Sequence, residues 1–187
     1  MQIKIIGAGL AGCEAALWLA DHGVQVDLYE QKPVKFSPAH KSAGFAELIC
    51  SNSLKAERPD SASGLLKIEM RMMGSHLLDA AETARVAAGG ALAVDREKFS
   101  DLVTEKVRSH PNITVINEEI EAVPTDGYAV IASGPLTAGK LAQSISELFL
   151  SYGFLAYLAV ITEVLFLVLF LHVHRYLALD ALVERDE

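Results

Sequence analysis

Over the first 147 positions, apolar residues fall in short runs separated by polar turns, the spacing expected when strands and helices alternate. Ile3 to Ile6 is a compact apolar run, as in a strand covered on both faces. The pattern then changes to a helical stretch from Cys13 to Asp21, with Gly23 placed as its C-terminal stop. Val24 to Tyr29 alternates and predicts a second strand that stops at Glu30. Gly64 to Ala84 reads as mostly helix, and Val94 leads into a helix over Asp95 to Arg108 with Asp95 as its N-cap. A strand pair is expected around Ile113 to Asn117 and Ile120 to Val123, and a last strand over Tyr128 to Ala132. The fold class this predicts is α/β, with a parallel sheet begun by a strand–helix–strand unit.

Between the first strand and helix lies Gly7-Ala8-Gly9-Leu10-Ala11-Gly12. Strand, glycine turn, helix, second strand and terminal acid all fall within 30 residues, the context of a dinucleotide-binding unit. Gly7 permits the tight turn, and Gly9 lets the backbone approach a pyrophosphate. Gly12, with Ala16 one turn later, lets the helix pack closely on the sheet. The helix N-terminus offers unpaired N–H groups and a positive dipole end to phosphates. Glu30 is placed to accept hydrogen bonds from ribose hydroxyls, and a carboxylate there disfavours a 2′-phosphate. FAD or NAD therefore suits the turn better than NADP. The alternative is a turn whose glycines serve geometry alone.

The segments that follow favour FAD. Gln31 to Ser63 is long and polar, with Pro33, Pro38 and Pro59, and reads as loops lining a site rather than as further regular βαβ units. Tyr128 to Ala132 ends at Ser133-Gly134-Pro135, where Gly134 lets the chain pass close to a flavin nucleotide. The net charge of −8 does not point to nucleic acid. Cys13 and Cys50 form neither a metal-ligand spacing nor a disulfide framework. Cys13 reads as helix packing, and Met1-Gln2-Ile3-Lys4 runs straight into a strand without a cleavable leader pattern.

Longer segments carry a more specific signal. Gly7 to Glu14, Asp27 to Glu30, Pro38-Ala39-His40, Phe45 to Leu54 and Gly64 to Lys67 occur in that order. They are followed by Ala88 to Arg96, Thr104 to Arg108, Thr114 to Glu119 and Ser133 to Thr137. Together these resemble the folate-dependent, FAD-using tRNA (uracil-5-)-methyltransferases over roughly residues 2 to 146. Cys50-Ser51-Asn52-Ser53-Leu54 and Ala88 to Arg96 are not general features of dinucleotide folds. The departures are Ser42-Ala43-Gly44, where the family pattern has a threonine and an aspartate, and Ser133, where a threonine is usual.

The resemblance implies carbon transfer from methylenetetrahydrofolate to C5 of a T-loop uridine of tRNA, relayed by reduced FAD, with NAD(P)H reducing the flavin. It implies a cytoplasmic enzyme whose partners are tRNA, folate and NAD(P)H. Cys50 matches a family cysteine at the reacting centre, where a thiolate serves as nucleophile and leaving group. From the residues alone, without the resemblance, Cys50 after Leu48 and Ile49 reads rather as a small buried apolar group. His40 is a candidate for positioning folate or flavin, and Arg96 for a phosphate contact or an ion pair.

After Glu147 the composition changes. Leu148 to Leu171 is 24 residues long with one charge, Glu163, and 16 of its residues are Leu, Ile, Phe or Val. Those sixteen contribute about −5 to −10 kcal/mol to membrane insertion, against about +3 kcal/mol for the acid. The expected organisation is a Rossmann-type FAD-binding domain, incomplete, over 1–147, and a hydrophobic helix within 148–187. That helix is either a membrane anchor, making the protein membrane-associated through 148–171, or an out-of-frame continuation. The function expected is that of the methyltransferase family in a truncated copy lacking full activity. The other readings are a membrane-anchored FAD-binding remnant and a different flavin oxidoreductase.

Overall fold

The computed structural model describes residues 1–150. The chain divides into two compact units, Met1–Leu141 and Ala142–Glu187, and the architecture below is that of the first.

β1 (Gln2–Ile6), α1 (Leu10–Asp21) and β2 (Gln25–Tyr29) form the opening unit. The chain then makes a long excursion through β3 (Ser53–Ala56), α2 (Ala62–Met72), α3 (His76–Thr83), β4 (Arg85–Val86), β5 (Ala91–Val94) and α4 (Arg96–Ser109). It returns as β6 (Ile113–Ile116) and β7 (Tyr128–Ile131). β6, β2, β1 and β7 make one parallel sheet in that order, with Ile3 opposite both Val26 and Tyr128, and Val26 opposite Ile113. β3, β5 and β4 make a small antiparallel sheet.

α1 fits because its inward face is small. Gly12, Cys13, Ala16, Leu17 and Ala20 are its buried residues. Small side chains let the helix axis lie close to Ile3, Ile5, Val26 and Leu28 of the sheet. Leu77, Leu78 and Ala81 of α3 and Phe99, Val103 and Val107 of α4 complete the same core. The amphipathic spacing of α4 thus buries one stripe and leaves its charges outside. Asp95 caps α4 as the sequence predicts, its side chain accepting from the Lys98 N–H at 3.1 Å. Gly23 follows the C-cap of α1 at φ +77°. The helical stretch 64–84 is two helices, broken where Gly74 takes φ +75°.

The structure corrects two expectations. Residues 120–123 are not a strand, and β6 pairs in parallel with β2 instead of in a local hairpin. One side of β6 is already held by β2, and Ile120 faces a cavity rather than a ladder partner. Residues 31–63, read as a loop region, contain β3, which pairs with the distant β5, and the first two residues of α2. Of the apolar stretch 148–171, positions 151–171 lie outside the described residues, and residues 139–150 are helical. Among the described residues no helix is long and apolar enough to cross a membrane.

Candidate nucleotide-binding site

In a parallel sheet every strand delivers its C-terminal end to the same edge, where the connecting loops build a crevice. Here Gly7 N–H bonds to Tyr29 C=O at 2.8 Å and Ala132 N–H to Ile6 C=O at 2.8 Å, which brings the ends of β1, β2 and β7 together. A cavity of about 480 Å³ opens there, within the size range of small-molecule sites. Gly7, Ala8, Gly9, Leu10, Ala11, Glu30 and Gly134 all lie on its wall, so seven of the eight residues expected to contact a cofactor meet in one place.

The three glycines of the turn are needed for different reasons. Gly7 has φ +102°, and a Cβ there would lie 2.7 Å from the Ala132 carbonyl oxygen. A Cβ on Gly12 would lie 1.8 Å from the Gly7 carbonyl oxygen. Gly12 is not on the cavity wall; it allows α1 to sit against the turn that forms the wall. Gly9 is the N-cap of α1 in an extended conformation, and a Cβ there would meet nothing within 4 Å. Its missing side chain leaves room in front of the helix N-terminus, where first-turn N–H groups lack intrahelical acceptors.

Glu30 is only 7% exposed. One carboxylate oxygen accepts from the Ala8 N–H at 2.8 Å and the other from the Lys32 N–H at 3.0 Å. The carboxylate is thereby aimed, while each oxygen keeps a second lone pair for a ligand hydroxyl.

Sequence reasoning missed a polar pair on the same wall. Lys32 is buried; its ammonium donates to the Gly44 carbonyl and stands 3.6 Å from Glu47 Oε2. Glu47 Oε1 accepts from the N–H groups of Lys41 and Ser42 at 2.9 and 3.2 Å, while Oε2 is buried without a hydrogen bond. Burial works against the charged form of Glu47. The two backbone donors, Lys32 and His40 outweigh it and hold the carboxyl below its ordinary value. No local motif marks Lys32 and Glu47, because they are fifteen positions apart on irregular backbone.

His40 lines the cavity with Nδ1 2.6 Å from Ser37 Oγ. Cys50 is exposed, so the reading of it as a buried packing residue is overturned. It lies off the cavity wall, to which its neighbour Ile49 belongs. Cys13 is the packing cysteine: it is fully buried, burial pushes its thiol up to about 12, and Sγ donates to the Ala8 carbonyl at 3.3 Å. Arg96 is exposed and off the wall. No cluster of three metal-ligating side chains occurs among the described residues.

Residues 2–148 match the family model described as Glucose inhibited division protein A. The chain belongs to that family. Within the Glucose inhibited division protein A family it is homologous to the N-terminal portion of proteins named methylenetetrahydrofolate–tRNA-(uracil-5-)-methyltransferase TrmFO. It is 52% identical to the one from Acetivibrio thermocellus over 153 residues, covering 82% of this chain and 35% of that protein. The protein from Staphylococcus saprophyticus is 56% identical over 145 residues, with 78% and 33% covered. The chain thus spans about a third of the length of these relatives. Among solved structures, Aquifex aeolicus GidA superposes with a TM-score of 0.53 at 15% identity, over 67% of this chain and 20% of that one. That likeness is one of fold.

Proposed function

We propose that this chain binds FAD in the crevice at the end of the parallel sheet. We further propose that it is the flavin-binding portion of a methylenetetrahydrofolate-dependent tRNA (uracil-5-)-methyltransferase, with NAD(P)H as reductant. The observation that carries the first part is the convergence of Gly7–Ala11, Glu30 and Gly134 on one wall, with the space in front of Gly9 left clear. The second part is supported by identities above 50% to enzymes of that name.

The residues present fit the nucleotide. The extended backbone at Gly9 and the free N–H groups opening α1 offer a cradle for a pyrophosphate. Glu30 would take the ribose hydroxyls, its orientation fixed by two backbone donors. Gly134, at φ +77° on the same cavity, brings bare backbone up to the site. Bound FAD would supply the redox chemistry of the carbon transfer, which no side chain here can supply. Cys50, exposed beside the wall residue Ile49, is the thiol we assign to the reacting centre, where its exposure suits attack on a substrate brought to it. The tRNA and folate contacts belong to the proposal for the whole enzyme.

Titrating FAD into the purified full chain, followed by quenching of flavin fluorescence, tests the site. Binding is expected in the unchanged chain, and a loss of about tenfold or more is expected for Gly9→Val, whose side chain would occupy the pyrophosphate path. Equal affinity of the two proteins would remove the assignment. Changing the cysteine that matches Cys50 to Ala in a full-length relative should leave FAD bound and abolish tRNA methylation.

A further inference from the structure

We propose that Lys32 is a positioning residue that fastens the segment carrying Cys50 to the acid of the nucleotide site. The proposal rests on the flavin reading only for the role given to Glu30.

Four hydrogen bonds form a closed ring. Glu30 accepts from the Ala8 N–H, and the Ala8 carbonyl accepts from the Ala46 N–H at 2.9 Å. Two residues before Ala46, the Gly44 carbonyl accepts from the Lys32 ammonium, and the Lys32 N–H returns to the second oxygen of Glu30. Glycine turn, ribose acid and the segment leading to Cys50 are thus one circuit, joined through the Glu30 carboxylate on one side and the Lys32 ammonium on the other.

Two features indicate that the circuit holds the segment under constraint. Ala46, completely buried, sits at φ +48°, a left-handed conformation that costs a non-glycine residue about 1 kcal/mol and persists only where surroundings enforce it. Lys32 is 4% exposed, a position at which lysine is rare unless its charge is used. Its counter-charge is Glu47, three residues before Cys50, which also gathers the Lys41 and Ser42 N–H groups. A methionine of similar length would fill the same space without closing the ring, so packing alone does not explain the choice.

Amide hydrogen exchange on the full chain reads the ring directly. In Lys32→Met, exchange of the Ala46 amide should quicken about tenfold, the equivalent of one hydrogen bond to a charged group, while amides of β1 and β2 keep their protection. If that variant does not fold, Glu47→Gln removes the counter-charge while leaving an acceptor for Lys41 and Ser42, and should act in the same direction by a few-fold. Unchanged protection at Ala46, or an equal loss throughout β1 and β2, overturns the proposal. A second readout separates positioning from mere support. Saturating FAD should change the rate at which a thiol reagent labels Cys50 in the unchanged chain, and this response should vanish in Lys32→Met at the FAD concentration that saturates the variant. A response retained in the variant overturns the proposal. Failure of the unchanged chain to bind FAD would sink the flavin reading instead, and Lys32 would then stand or fall on the exchange at Ala46.

Discussion

At the scale of single residues, each glycine of the turn makes a separate prediction. Gly12→Ala drives a methyl group into the Gly7 carbonyl oxygen; the Cβ position is fixed by the helix backbone and the oxygen belongs to the turn backbone, so neither can swing away. A loss of about 3 kcal/mol, the upper part of the range for overpacking, is expected in urea unfolding. Gly9→Ala meets no neighbour, and exchanging one modest N-cap for a poorer one costs under about 1 kcal/mol. Its penalty should appear in FAD affinity instead. Equal stability losses in the two variants would mean that the turn is not built as described. The cysteines offer a second test. With its thiol pushed up to about 12 by burial, Cys13 should resist iodoacetamide at pH 8 in the native chain, whereas exposed Cys50 should react. Peptide mapping that finds both labelled would contradict the packing assigned to α1.

At the scale of elements, the shortest helix of the core depends on a residue from another helix. α3 has eight residues, too few to be stable alone, and its N-cap Ser75 accepts from the Leu78 N–H at 3.3 Å. Glu14 of α1 extends that cap: its carboxylate accepts from Ser75 Oγ at 2.7 Å and from the N–H groups of His76 and Leu77 at 2.9 and 3.0 Å. Glu14→Ala should therefore cost about 2 kcal/mol, with hydrogen exchange faster in α3 than in α1, because three donors lose their acceptor at once. A variant as stable as the unchanged chain would show that water replaces the carboxylate fully. β3 and β4 show how much of the element plan escapes local pattern. They are four and two residues long, and both exist because β5 lies between them. The long segments β1, α1, β2 and α4 were readable because their own periodicity commits them, whereas 120–123 looked equally strand-like and found no ladder.

At the scale of the whole molecule, ion pairs tie distant parts together. Arg85 of β4 pairs with Glu57 at 2.7 Å and with Glu82 at 2.7 Å, and Arg71 of α2 reaches the same two acids. The hydrogen bond from Arg85 holds Glu57 below its ordinary value of 4.5. Glu82 is lowered too, the arginines prevailing over a burial cost that works the other way. Asp21 is lowered chiefly by its hydrogen bond to His110, which stands 3.0 Å away at the end of α4. A carboxyl depressed in the folded state stabilises it fully above its unfolded value, and the contribution fades as acid titrates the folded state. Stability should therefore be steady above pH 4.5 and fall below it, and Arg85→Met should flatten that fall. Thermal melts between pH 3 and 6 would check this; an acid limb as steep in the variant as in the unchanged chain would rule the network out as its source.

The glycine turn, the acid ending β2 and the small-faced helix between them are legible in the sequence, since each follows from backbone freedom, charge or periodicity within 30 consecutive residues. The family resemblance was legible too, through segments such as Cys50 to Leu54. Contacts between distant positions were not. Glu30 could be read as a ribose acceptor, but not as the acid that also holds Ala8 and Lys32. Nor did any pattern foretell that Ala46 would be held at positive φ, or that Lys32 and Glu47 would be buried together on the cavity wall. A local pattern encodes what a segment prefers when considered alone. Which buried charges meet, and which strained peptide is tolerated, depends on how the long excursion after β2 folds back on the turn, and only the packed chain decides that.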